Sequence, residues 1–244
     1  MLHQFCFNEL MNQPAVQIAQ ADTTFKKMAN LILITGNPGT GKTTLVSRLF
    51  QLLSKRVSVT GFITEEVRPT QTSGRRASRI GFDVVLLSEL EERRATLARC
   101  AGYETTALPA RAPRVGQYVV QLSSFESLAL PCLQTTLNSL SDRSASGPSV
   151  CIIDEIGKME LCSPSFCVEI EKLINLISTA SKQSSRAVLV ATVPSARRPD
   201  GRRGIPLVDA LCSRPNVCLF EVTFSNRDDT LQKVYRAVID RLLL

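Results

Sequence analysis

Hydrophobic residues in this chain fall into short strand-type runs that alternate with stretches of helical spacing. The strand-like runs are Leu31–Ile34, Val57–Val67, Ile80–Leu87, Val115–Leu122, Val150–Ile153, Ala187–Val193 and Val217–Val222. Between Lys42 and Leu53 the apolar positions are Leu45, Val46, Leu49, Leu52 and Leu53, which predicts a helix. Ser163-Pro164 supplies an N-cap and a first-turn proline for a second helix, with Phe166, Ile170, Leu173, Ile174 and Ile177 on its apolar face. Ser123 is expected to cap a helix that runs to Leu140 and kinks at Pro131. Asn226, with Asp229 at the capping-box position, is expected to open the last helix, which would bury Leu231, Val234, Tyr235, Val238, Ile239 and Leu242.

This alternation predicts an α/β protein with a mainly parallel sheet flanked by helices. The two runs around the polar, basic stretch 68–79 predict an inserted β-hairpin. Residues 89–113 have little periodicity and read as a mobile connection. Residues 1–29 also lack it and read as a disordered extension, leaving 30–244 as a single domain. Ligands in such sheets bind beyond the carboxyl ends of the strands.

One of those strand ends carries recognisable chemistry. Leu31–Ile34 runs into Gly36-Asn37-Pro38-Gly39-Thr40-Gly41-Lys42-Thr43, and a helix follows. Gly-x-x-x-x-Gly-Lys-Thr between strand and helix is the phosphate-binding loop pattern. Glycines let successive backbone N–H groups curl around a phosphate, and the helix N-terminus faces the same anion. Lys42 is placed to reach the β and γ oxygens, and the Thr43 hydroxyl to ligate Mg²⁺.

A second strand end adds acid. Val150-Cys151-Ile152-Ile153 is followed by Asp154-Glu155. Asp154 is the candidate Mg²⁺ holder and Glu155 the candidate general base for an attacking water. Developing charge on a transferred phosphoryl group calls for a cation. Lys158 and Arg114 are candidates, with Arg79 and the arginines of 197–203 behind them. Thr192, at a third strand end, is a candidate γ-phosphate sensor or a strand-end hydroxyl satisfied by the protein itself. Asn226 and Arg227 are candidates to touch the base, although helix capping also accounts for Asn226.

Composition narrows the classes. The chain has 244 residues, a net charge of +7 and 44% hydrophobic residues. No apolar run has the length of a membrane span, so a cytoplasmic protein without a membrane partner is expected, with the nucleus as an alternative. Arginines crowd between Arg68 and Arg114 and again at 197–203, a surface suited to polyanions. Aromatics make up only 5% and there is no tryptophan, which disfavours a single-strand nucleic-acid platform. Eight cysteines without a C-x-x-C pair, and one histidine, give no zinc pattern.

Several longer phrases then coincide: Gly61-Phe-Ile-Thr-Glu-Glu-Val-Arg68, Arg79-Ile-Gly-Phe-Asp-Val-Val85, Arg114-Val-Gly-Gln-Tyr-Val-Val120, Ser124-Phe-Glu-Ser-Leu-Ala-Leu-Pro131, Ile153-Asp-Glu-Ile-Gly-Lys-Met-Glu160 and Asn226-Arg-Asp228. In this order they resemble the cancer-related nucleoside-triphosphatase family, also described from thermophiles. The resemblance implies a RecA-like P-loop NTPase fold. It also implies hydrolysis of ATP, GTP, CTP, UTP and TTP with loose base selectivity, and weaker hydrolysis of diphosphates. It puts the two nucleotide-binding segments on Gly36–Thr43 and on Val150, Cys151, Ile152, Ile153, Asp154, Glu155, Ile156 and Gly157. A monomeric Mg²⁺-dependent triphosphatase is the expectation. A nucleotide or nucleoside kinase on the same scaffold, and a nucleotide-gated RNA- or protein-binding module, are the alternatives.

Overall fold

The computed structural model describes residues 30–69, 78–88, 93–103, 109, 111–141, 147–179, 187–196 and 203–242. The expected extension at 1–29 and the loop residues 70–77 and 197–202 lie outside them.

The buried apolar runs become strands as expected: β1 (Leu31–Thr35), β2 (Ser58–Val67), β3 (Gly81–Leu86), β7 (Ser149–Ile153), β8 (Ala187–Thr192) and β9 (Val217–Glu221). The segment between β3 and β7 adds β4 (Arg94–Cys100), β5 (Arg114–Val115) and β6 (Tyr118–Val120). All nine join one sheet in the order β5-β6-β4-β3-β2-β7-β8-β1-β9. From β2 to β9 the neighbours are parallel. From β2 outward to β5 they are antiparallel. The hairpin read around 68–79 is the β2–β3 pair, and it opens a larger antiparallel extension.

Side chains alternate across the sheet and build two cores. On one face Leu33, Phe62, Ile153 and Leu189 pack under α2 (Leu122–Ser141), α3 (Pro164–Thr179) and the short α4 (Pro206–Cys212). Phe62, Phe125 and Phe166 cluster there, with ring centroids 5.2–6.2 Å apart. On the other face Ile32, Ile34, Ile152 and Val190 pack under α1 (Lys42–Leu53) and α5 (Arg227–Leu242). Among the described residues no helix is long and apolar enough to cross a membrane. Burial pushes the thiols of Cys132 and Cys151 up to about 11 and about 12, which makes them packing residues rather than nucleophiles.

Four local expectations are corrected. Residues 94–100 form a strand, not part of a loose connection. Their pattern hid it because Arg99 sits at an inward position. Its guanidinium pairs with Asp83 at 2.6 Å and donates to the carbonyls of Phe82 and Ala98. Val115–Leu122 is not one strand: the chain turns back at Gly116-Gln117, and Gly116 takes the positive φ, +60°, that such a turn requires. Helix α2 starts one residue before Ser123 and runs on through Pro131. The Phe125 amide bonds back to the Gln121 carbonyl, so Gln121, not Ser123, stands at the cap. Asn226 does precede α5, but its side chain faces backwards. It accepts from the Thr223 amide and donates to the Glu221 carbonyl, while Asp229 pairs with Lys233 instead of closing a capping box. By contrast, Ser163 caps α3 as expected, accepting from the Phe166 amide at 3.0 Å.

The Arg99–Asp83 pair predicts a test of the antiparallel half. Asp83→Ala leaves a buried guanidinium uncompensated and should cost about 3–5 kcal/mol. Arg48→Ala, which breaks the exposed Arg48–Asp228 pair, should cost at most about 1 kcal/mol. Urea unfolding of both variants measures the difference.

Candidate active site

The site lies where β1, β7 and β8 end together. Strand β1 delivers Gly36–Gly41, and α1 begins at Lys42. The loop depends on its glycines at two points. A Cβ on Gly36 would stand 2.4 Å from the Val222 carbonyl oxygen, and one on Gly41 would stand 2.7 Å from Cδ of Arg227. Both residues also have positive φ, +153° and +99°. Thr40 braces the turn through a 2.9 Å bond from its hydroxyl to the Asn37 carbonyl. Lys42 folds back over the loop, donating from Nζ to the Gly36 carbonyl at 3.0 Å. Its other neighbour is Glu155, with Nζ 3.7 Å from Oε2. Pro38 and Gly39 form the exposed crest of the turn.

The sheet order brings the acids to this loop. Strand β8 lies between β1 and β7, with Ile34 opposite Thr192 and Ile153 opposite Ala191. Asp154, immediately after β7, is 2% exposed. Thr192 donates its hydroxyl to Asp154 Oδ1, as a strand-end hydroxyl satisfied by the protein itself would, and so anchors the carboxylate. Asp154 Oδ2 is buried and lacks a hydrogen-bond partner among the described residues. Burial raises this carboxyl above its ordinary range, while Thr192, Thr43 and the Lys42 charge pull it back towards the ionised form. The main chain around it is pinned too: the Asp154 amide bonds to the Phe62 carbonyl, and the Ile156 amide to the Thr192 carbonyl.

An unpartnered carboxylate oxygen beside a threonine hydroxyl is an all-oxygen set that suits a hard cation such as Mg²⁺. The residues therefore fit a hard divalent cation. Thr43 and Asp154 are the ones that would hold it.

The other predicted residues divide clearly. Lys42, Thr43, Asp154 and Glu155 come together. Glu155 is 31% exposed, so water reaches it. Val150, Cys151, Ile152 and Ile153 lie inside the sheet, and Ile156 and Gly157 are buried behind the acids; they support the site rather than face a ligand. Lys158 is exposed in the same loop. Arg114 is not brought near: it is on the outermost strand β5, five strand steps from β7 and seven from β1, roughly 24–34 Å along the sheet at about 4.8 Å per step. Arg79 pairs with Glu66 and lies over the Phe82 ring, also in the antiparallel half. Arg203 is 7% exposed and donates to the Pro194 carbonyl. It helps wall a cavity of about 1440 Å³ that opens beside Asn37 and includes Asp209, Leu219 and Glu221.

One acid escaped the sequence reading. Glu160 is 3% exposed and its Oε2 accepts from the Gly157 amide at 3.1 Å. A Cβ on Gly157 would meet Glu155 Oε1 at 2.7 Å and Glu160 Oε2 at 3.0 Å, so both carboxyls crowd the same glycine. Burial first, and the Glu155 charge second, push Glu160 up to about 8. Its signal in the sequence was the last residue of the Asp-Glu-Ile-Gly-Lys-Met-Glu phrase.

A glycine-rich loop closing one buried strand, with an acid pair closing another two places along a parallel sheet, defines a P-loop nucleotide-binding protein. The NTPase family model matches residues 31–235, and the chain belongs to this nucleoside-triphosphatase family. It is 41% identical over 212 residues to the Homo sapiens protein named cancer-related nucleoside-triphosphatase, covering 86% of this chain and 97% of that one. It is 36% identical over 203 residues to a Thermotoga petrophila protein named nucleoside-triphosphatase THEP1, covering 83% and 89%. Among solved structures, THEP1 from Aquifex aeolicus superposes with a TM-score of 0.62 at 32% identity, covering 85% of this chain and 98% of that one.

The buried Glu160 carboxyl predicts a pH signature. Between its ordinary value of 4.5 and about 8 the folded state keeps a proton that the unfolded chain releases, so its contribution to stability is lost as pH rises through that window. Glu160→Gln should therefore gain stability relative to wild type between pH 5 and pH 8. Urea midpoints at both pH values, without nucleotide or metal, check this.

Proposed function

We propose that the protein is a Mg²⁺-dependent nucleoside-triphosphate phosphohydrolase, converting NTP and water to NDP and phosphate. It accepts ATP, GTP, CTP, UTP and TTP, and acts less well on diphosphates. The observation that carries this reading is the convergence on Lys42: a phosphate-loop lysine within 3.7 Å of Glu155, beside a buried Asp154 oxygen with no partner. The names of the relatives point to the same activity.

The chain's own residues supply most of the chemistry. The amides of Gly39–Thr43 and the α1 N-terminus grip the β-phosphate. Lys42 neutralises charge on the terminal phosphate oxygens, which compete with Glu155 for its ammonium. Glu155, freed from Lys42 and open to solvent, orients a water on the γ-phosphorus and accepts its proton. Thr192 and the buried strand ends hold Asp154 fixed while this happens. Mg²⁺ held by Thr43 and Asp154 would neutralise charge on the phosphate oxygens. Lys158 is the nearest exposed cation in sequence for the developing charge, and we assign it that part ahead of the distant Arg114.

Phosphate release from the five NTPs and their diphosphates, with and without Mg²⁺, tests the reading. Glu155→Gln should keep NTP binding and lose turnover by roughly 10²–10⁴-fold. Lys42→Ala should weaken binding and abolish turnover. A Glu155→Gln enzyme of full activity removes the base from its role. Phosphate transfer that requires a nucleoside or nucleotide acceptor favours the kinase alternative.

A further inference from the structure

The loop 222–227 between β9 and α5 is fixed against the phosphate loop at both ends. The Val222 carbonyl closes on Gly36, and the Arg227 side chain closes on Gly41. Between these points the turn is cross-braced. The Thr223 amide donates to Asn226 Oδ1 at 2.8 Å, the Asn226 amide to the Thr223 hydroxyl at 3.3 Å, and Asn226 Nδ2 to the Glu221 carbonyl at 3.0 Å. None of this bracing uses the side chain at the apex. Phe224, at that apex, is 76% exposed. It is the most exposed of the large hydrophobic residues named among the described ones, ahead of Tyr103, Val168 and Leu219. Three residues on, Arg227 lies across Gly41 with its Nε buried and without a hydrogen-bond partner among the described residues.

A braced turn that presents an aromatic ring to solvent, three residues before a guanidinium that lies over the phosphate loop, suits a flat ligand whose other end reaches that loop. Its position beside the phosphate loop sets which part of the ligand arrives there. We infer that Phe224 is the stacking platform for the nucleobase, with Arg227 bridging the space between that base and the phosphate loop. The inference rests on the triphosphatase reading for its ligand and adds how the base is held. Every nucleobase has a π face, so stacking holds all of them with little discrimination. Recognition by the ring thus accounts physically for broad base tolerance, which a hydrogen-bonding pocket would oppose.

The absence of tryptophan in the chain makes the test direct. Phe224→Trp introduces a single indole at the apex. Its emission should be quenched by non-hydrolysable analogues of ATP and of UTP, and not by inorganic triphosphate, which has the tail without a base. Phe224→Ala should raise KM by about ten-fold for purine and pyrimidine triphosphates alike, with the effect falling on KM rather than on kcat, and Phe224→Tyr should restore it. A base seated instead in the cavity lined by Asn37, Arg203 and Glu221 leaves the indole unquenched and the KM of Phe224→Ala at the wild-type value; that result overturns the inference while leaving hydrolysis intact. Failure of the wild-type protein to hydrolyse any NTP removes the triphosphatase reading itself.

Discussion

Asp154 is a carboxylate at the end of a central parallel strand, almost wholly out of water, held on one oxygen by Thr192 and left open on the other. Such a group is costly to bury unless its surroundings favour the charged form. Here burial still raises the carboxyl above its ordinary range, and the Thr192 and Thr43 hydroxyls and the ammonium of Lys42 oppose that. The rest of the site follows from satisfying that one group. Strand β8 must lie between β1 and β7 so that Thr192 reaches Asp154. The phosphate loop must end over the same spot so that Lys42 and Thr43 face it. Glu155, one residue further, then falls at the solvent edge beside Lys42.

The sheet divides its work accordingly. The five parallel strands place loops at one edge, and every residue assigned to chemistry comes from that half. The antiparallel strands β3 to β6 extend the sheet beyond β2, and charged groups pair within the extension or against β2: Arg99 with Asp83, Arg94 with Glu65 of β2, and Arg79, just before β3, with Glu66 of β2. Among the described arginines between Arg68 and Arg114, Arg79, Arg94 and Arg99 are therefore paired within or along the extension.

How much was legible in the sequence follows from these two halves. Parallel strands buried on both faces are near-continuous apolar runs, and Leu31–Ile34, Val150–Ile153 and Ala187–Val193 announced themselves. The phosphate loop was equally plain, because its spacing is dictated by a phosphate. Strand β4 was hidden because a charged residue, Arg99, occupies a core position that only its partner Asp83 makes tenable. The β5–β6 turn was hidden because Gly116-Gln117 breaks a run whose β propensity is strong on both sides. Asn226 was placed correctly at the start of α5 but with the wrong bonding, since sequence does not say which way a short polar side chain faces. Arg114 was a candidate because developing phosphoryl charge calls for a cation, whereas strand order sets it at the far edge. Glu160 escaped notice beside the acid pair because burial of an acid emerges only from packing.

The central claim is that the triphosphate tail lies between Lys42-Thr43 and Asp154, with its terminal phosphorus turned to Glu155. The most direct measurement is a crystal structure of Glu155→Gln with ATP and Mg²⁺. The account predicts intact ATP, its β-phosphate in the Gly36–Thr43 loop, the metal on the Thr43 hydroxyl and the open Asp154 oxygen, and a water between the substituted side chain and the γ-phosphorus. A tail bound elsewhere, or a γ-phosphate facing away from position 155, would contradict it.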